Sequence, residues 1–321
     1  MHREKTKTIT SIGGQALVEG VMMRGPQRTE VAVRLPDGSI SSEELKASSL
    51  RDRHPAWRLP LLRGIAAFAD SLSIGYRALS LAVEKAGLGD DEGESKLDRW
   101  IEKKFGDRAM NAVMTAGTVL GVAVGVGLFF LLPTWLFNLL QAAAGPAAAG
   151  WRAPAEGLMR FALFVGYIAL CASLPDMKRV FAYHGAEHKT IFCYENREPL
   201  TVENVKKHQR FHPRCGTSFL VLMLLIGIFI GFFIPFSNPF LRTAVKILCI
   251  PAAVGVGYEL IRYCGRNDNA LTHVISAPGL WMQRLTTREP DDGMMEVAIA
   301  ALEAVIPGNG EDLVGPGDGA E

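Results

Sequence analysis

TSFLVLMLLIGIFIGFFIPFSNPFL, Thr217–Leu241, runs for 25 residues without one charged side chain. The hydrocarbon core of a bilayer, about 30 Å thick, needs about 20 apolar helical residues to cross it. The run is therefore read as a membrane span, and three more stretches join it. Ala109–Trp151 is also uncharged and holds a first span ending near Pro133. Leu158–Leu174 is a second, with Arg160 placed to snorkel at its outer end. Thr243–Tyr263 follows Thr217–Leu241 as a fourth, with Lys246 near its start and Glu259 near its end.

The loops between these stretches set an orientation, because short cytosolic loops carry the excess of Lys and Arg. The link between spans two and three holds Lys178, Arg179, Lys189, Arg197, Lys206, Lys207, Arg210 and Arg214. The link between one and two has only Arg152 and Arg160, and that between three and four only Arg242 and Lys246. The N-terminus, the central loop and the C-terminus are thus expected in the cytosol, and the chain in the plasma membrane as a multi-pass protein. A formal net charge of +1 argues against a nucleic-acid partner. The first fifteen residues contain no apolar core of a signal peptide. Five dispersed cysteines with no C-x-x-C pair argue against a disulfide framework.

Residues 1–12 read as a disordered N-terminus and 13–107 as a cytosolic or interfacial region. Within it, EVAVRLPDGSI (Glu30–Ile40) reads as a strand, a Pro-Asp-Gly turn and a second strand. Leu59–Ala86 reads as an amphipathic helix on the membrane surface or against the bundle. Gly87–Ser95 is an acidic linker. The four-span region covers 108–263, with a cytosolic loop at 175–216, and a cytosolic C-terminal region follows at 264–306. There Met294–Val305 reads as a helix capped by Asp292. Residues 307–321, Gly-rich and acidic, read as a disordered tail. The fold class is mainly α: an integral membrane protein of about four transmembrane helices, with a small N-terminal β-hairpin and cytosolic amphipathic helices.

Four of the seven histidines fall between His184 and His212, in the central loop. His184 and His188, four apart, share one face of a helix one turn apart, where two imidazoles can grip one cation. Glu187 beside them has the chemistry of a general base for water. His-x-x-Glu-His inverts His-Glu-x-x-His and is the local spacing of inverzincin peptidases. A solvated cytosolic helix accounts for the same residues without metal. Three third ligands are open. Glu259 reaches the cytosolic end of its span, where ionisable groups are costly and functional; its plain alternative is a pairing with Arg262 or another basic side chain. His212 and Cys215 precede span three directly, as does His208, and HPRCG is also a plausible tight turn. GGQALVEGVMMRGP (Gly13–Pro26) is apolar, glycine-punctuated and broken by Gln15, Glu19 and Arg24. These are further site candidates, with a structural Glu19–Arg24 ion pair as the plainer reading.

GGQALVEGVMMRGP, YHGAEHKTI, HPRCGTSFL, GVGYELIR, PGLWMQRLTTREPDD and EVAIAALEAV together resemble, in sequence and order, the YqhQ family of bacterial proteins. The resemblance spans Gly13 to Val305. It implies a membrane protein of a family described as predicted metal-dependent enzymes, and it implies no reaction.

Two functions follow as expectations. One is a metal-dependent hydrolase at the cytosolic membrane interface, with a divalent cation, zinc first, at His184, His188 and Glu259, and Glu187 as base. The other is a non-catalytic scaffold with a closed structural site such as His184, His188, His212 and Cys215, and with TTREPDD (Thr286–Asp292) as an interaction element. The lipid bilayer is the expected partner; the substrate and the oligomeric state stay open.

Overall fold

The structure is a computed structural model that describes residues 8–46, 49–87, 107–267, 269–308 and 312–313. Most of the acidic linker, residues 1–7 and most of the 307–321 tail lie outside the described residues. The chain divides into two compact units, residues 1–87, 168–223 and 254–321, and residues 88–167 and 224–253.

The first unit is built on a four-stranded antiparallel meander: β1 (Gly13–Leu17), β2 (Gly20–Arg24), β3 (Thr29–Arg34) and β4 (Ile40–Glu44), in sequence order across the sheet. The expected hairpin is β3–β4, turning through Gly38 at φ +85°. The extra pair, β1–β2, comes from the glycine-punctuated stretch. Leu17 pairs with Gly20 across a two-residue turn in which Glu19 takes φ +50°. A Cβ at Gly20 would stand 2.5 Å from the carbonyl oxygen of Ala32, so only glycine fits beside β3.

Side chains alternate across a strand, and here both faces are covered. Leu17, Met22, Val31 and Val33 pack with Ile74, Ala78 and Ala82 of helix α2 (Leu62–Lys85). Val21, Met23 and Ala32 pack on the other face with α6 (Pro175–Glu195) and α12 (Asp292–Glu303). Double coverage explains why β2 and β3 are buried almost throughout. The amphipathic helix expected over Leu59–Ala86 therefore lays its small apolar face on a sheet. Asp291, one residue before the expected cap, accepts the Met294 N–H at 2.8 Å. Thr8 and Thr10, read as part of a disordered terminus, are buried and bonded to Glu195 at the end of α6. Asp312, in the stretch read as a tail, accepts from Tyr194 at 2.7 Å.

The remaining helices, in chain order around those named, are α1 (Leu50–Arg53), α3 (Asp107–Val126), α4 (Leu132–Ala144), α5 (Arg152–Cys171), α7 (Val202–Lys207), α8 (Gly216–Gly231), α9 (Pro239–Leu248), α10 (Ile250–Arg266) and α11 (Ala270–Thr286). Among the described residues two helices are long and apolar enough to cross a membrane, Ala116–Ala144 and Pro146–Cys171. A third span arises if α9 and α10, bent by 44° at their junction, count as one. The expected four are thus corrected to two or three. Thr217–Leu241 is not one helix of span length, because α8 stops at Gly231 after 16 residues, about 24 Å of helix. Asn238 then caps a new helix, its side chain accepting from Phe240 and Leu241 N–H at 3.0 Å, with Pro239 at the first helical position.

In the second unit the polar groups point inward. Pro133 lacks an N–H, which leaves the Phe129 carbonyl four residues back without its helical partner. Arg160, 5% exposed, donates to that carbonyl at 2.8 Å, so it is buried rather than snorkelling. Arg242, 1% exposed, donates to Glu156 (2.9 Å) and to the Gly231 carbonyl (2.9 Å) at the end of α8. Lys246 donates to Glu156 at 2.6 Å. Meanwhile Phe240, Leu248, Leu158 and Trp151 are exposed. Charges inside and apolar groups outside is the arrangement lipid selects.

Candidate metal centre

The site is built around α6. Pro175 opens the helix at its first position, after which every residue from Ala182 to Glu195 is buried. Burying His184, Glu187, His188, Lys189 and Glu195 on one helix is costly unless each polar group finds a partner. This is not the solvated cytosolic helix that would account for the motif without a site.

His184 and His188 lie one turn apart with ring centroids 4.3 Å from each other. Nδ1 of His184 stands 2.8 Å from the Thr286 carbonyl, and Nδ1 of His188 stands 2.6 Å from the Arg210 carbonyl. A carbonyl can only accept, so both Nδ1 atoms carry a proton, and Nε2 of each ring is turned toward the cluster. His184 Nε2 is 3.1 Å from Cys215 Sγ. His188 Nε2 is buried without a hydrogen-bond partner, and so is Oε2 of Glu187. One ligand atom each from His184, His188 and Cys215 lie within 4.8 Å of one another. Ligand atoms around a tetrahedral zinc stand about 3.5 Å apart, given bonds of about 2.0–2.3 Å. The unpartnered Nε2 of His188 and the Nε2 of His184 beside the Cys215 sulfur, with backbone acceptors fixing the far side of each ring, fit a cation of that type.

The electrostatics agree with close coupling. Burial alone would lower the His184 imidazole, but the Cys215 sulfur and Glu187 push it up to about 9. Burial would raise the Cys215 thiol, yet His184 and His188 hold it well below the usual range. Burial keeps the Glu187 carboxyl above its ordinary value. Glycines make the approach possible. On the sheet face toward α6, a Cβ at Gly14 would stand 2.8 Å from Glu187 Cδ. A Cβ at Gly185 would overlap the Arg288 carbonyl oxygen, so glycine lets the segment after α11 lie on α6.

Other candidates stand elsewhere. Glu259 is not in this group: its carboxylate accepts from Arg63 Nε at 2.7 Å, a partner invisible in the sequence, rather than serving as third ligand. His212 also falls outside the group. Its Nδ1 accepts from the Arg214 N–H at 3.3 Å, its Nε2 is 3.7 Å from Glu195, and its own main chain is bracketed by Gln283 at 2.7 Å on both N–H and C=O. Burial pushes His212 down to about 4. His208 sits 3.4 Å from Glu198, in a second group with Cys193. Gln15 faces the opposite side of the sheet, against Gly75 of α2. Glu19 pairs not with Arg24 but with Arg179, at 2.5 Å, and Tyr183 donates to it at 3.3 Å. Arg24 closes β2 outside the group. Gln283, Gly14, Gly185 and the carbonyls of Thr286 and Arg210 were not foreseen; carbonyls carry no side-chain signal, although the unusual TTREPDD segment marked the region.

The fold and site define a class: mainly helical, with apolar spans, and with an α/β unit that buries a His₂Cys cluster. Within that class the chain belongs to the family described as Protein of unknown function (DUF1385), which matches residues 59–307. It is 35% identical over 303 residues to Uncharacterized protein YqhQ of Bacillus subtilis (strain 168), covering 94% of each chain. No solved structure matches.

Proposed function

We propose that this protein is a metal-dependent hydrolase of the membrane interface, with a zinc-type cation at His184, His188 and Cys215 and Glu187 as general base. The observation that carries the reading is the buried, unpartnered Nε2 of His188, fixed by its Nδ1 bond to Arg210 and grouped with Cys215 and His184. Three protein ligands leave the fourth position of a tetrahedral site open, the pattern of catalytic rather than structural zinc. A cation there supplies Lewis acidity toward a carbonyl or ester oxygen. His184 and His188 orient through Thr286 and Arg210. Glu187 Oε2, buried and unbonded, takes the proton of the attacking water, and the raised carboxyl suits it to return that proton to the leaving group. Loop charge supports a cytosolic site, with both termini on that side.

A second reading rests on the 3.1 Å contact of His184 Nε2 with Cys215 Sγ: a cysteine nucleophile activated by an imidazole that Thr286 orients. Elemental analysis of detergent-purified protein separates the two. Near-stoichiometric metal, retained by Glu187→Gln while hydrolysis is lost, supports the metal reading. Metal-free protein whose Cys215 reacts rapidly with iodoacetamide at neutral pH favours the nucleophile. Loss of metal in Glu187→Gln would make Glu187 a ligand instead of a base.

A further inference from the structure

The two backbone carbonyls that hold His184 and His188 belong to chain that also walls a cavity. It is an open cavity of about 490 Å³, and its charged lining is Arg210, Arg284, Arg288 and Glu289. Thr286, whose carbonyl accepts from His184, lies between Leu285 and Thr287 of the same wall. That volume falls in the usual range for small-molecule sites, about 300–1,000 Å³.

The lining is cationic in excess. Three guanidinium groups face one carboxylate, and Glu289 is already bridged by Lys189 from α6 as well as by Arg210 at 3.0 Å. Arg210 Nε is buried with no hydrogen-bond partner. Nε itself is closed to solvent, so a ligand in the cavity would meet the partly exposed remainder of the Arg210 side chain. Arg288 spends one Nη2 bond on the Ala172 carbonyl at 2.8 Å, which fixes its place in the wall. Planar guanidinium forks match pairs of phosphate oxygens, and several of them on one cavity select a dianion over a single carboxylate.

We propose that this cavity binds a phosphate group, carried by a soluble phosphate ester or by a lipid headgroup, through Arg210, Arg284 and Arg288. The phosphate would sit on the Nδ1 side of both histidines, behind the carbonyls that orient them. Binding there requires no cation at His184, His188 and Cys215.

The test uses the full chain purified in detergent and titrated calorimetrically with inorganic phosphate and with glycerol 3-phosphate. A parallel arm uses lipid nanodiscs, comparing binding of short-chain phosphatidic acid with that of short-chain phosphatidylcholine. Arg284→Gln and Arg288→Gln are the variants, because both side chains are exposed and their loss leaves the core intact. Each is expected to weaken binding about tenfold or more, as for a charge-assisted hydrogen bond. Circular dichroism melts confirm that both variants fold. Saturable binding of glycerol 3-phosphate assigns a soluble ester, and selective binding of phosphatidic acid assigns a headgroup; either supports the site. Wild-type protein that binds none of these probes, or folded variants that bind as tightly as wild type, overturns it. Metal content, measured on the same samples, reports separately on the catalytic reading.

Discussion

Nδ1 of His188 donates to the main-chain carbonyl of Arg210 at 2.6 Å, which commits the ring's lone pair to Nε2 beside Cys215. A hydrogen bond to a fixed carbonyl sets both tautomer and ring angle before any ligand arrives. The consequence is specific: His188→Ala and Cys215→Ser should each bring the metal content of the purified protein to background. Glu259→Gln should leave it unchanged, since Glu259 is engaged by Arg63. Plasma mass spectrometry on the three variants decides the ligand set, and loss of metal in the Glu259 variant alone would reinstate Glu259.

Gly14→Ala tests the contact between β1 and the Glu187 carboxyl. The new methyl would stand 2.8 Å from both Glu187 Cδ and Met23 Sδ. Overpacking of this kind costs about 1–3 kcal/mol. A lowered melting temperature, with metal retained and turnover reduced, is the expected combination. A variant that melts and turns over like wild type would show that β1 does not constrain Glu187.

Gly185→Ala should be worse. The methyl group would overlap the Arg288 carbonyl, a main-chain atom tied in place because Arg288 N–H donates to Phe181 O at 2.7 Å. With no flexible side chain to yield, the segment from Thr286 to Arg288 must lift from α6 and release His184 Nδ1. Loss of metal together with a fall of several degrees in melting temperature is expected. Retained metal at wild-type stability would contradict the close approach.

The Glu19–Arg179 pair gives a pH signature. Hydrogen bonding to Arg179 holds the Glu19 carboxyl below its ordinary value of 4.5. A depressed carboxyl contributes stability above its unfolded value and loses it as pH falls through the folded one. Because Arg179 is half-exposed, the contribution is modest, about 0–1 kcal/mol. Glu19→Gln should therefore melt slightly below wild type at pH 7, and the gap should close on acidification below 4.5. A gap that stays the same however far pH falls below 4.5 would assign the effect to Tyr183 or to the strained turn instead.

The sequence carried the helical class, the β3–β4 hairpin and the two histidines, because each rests on local periodicity or turn chemistry. It could not carry the number of spans. An uncharged run looks continuous until Asn238 and Pro239 act as a cap, and hydropathy alone does not weigh a cap. Nor could it separate Cys215 from Glu259 or His212 as the third member of the cluster. That choice depends on Arg63, 196 positions from Glu259, and on Gln283, 71 positions from His212, with Glu195 and Arg214 closing round the same imidazole. Alternation within GGQAL puts Gly14 toward the site and Gln15 away from it, but the register is fixed only once β1 pairs with β2.

The bond between His184 and Thr286 joins residues 102 positions apart. During synthesis His184 leaves the ribosome well before its orienting carbonyl does. Until the end of α11 has emerged and settled on Gly185, the imidazole has nothing to fix its tautomer. A nascent or truncated chain ending before Thr286 thus holds the whole His-x-x-Glu-His motif yet lacks the finished centre. The His184 tautomer is thus set only once the chain has been made past Thr286.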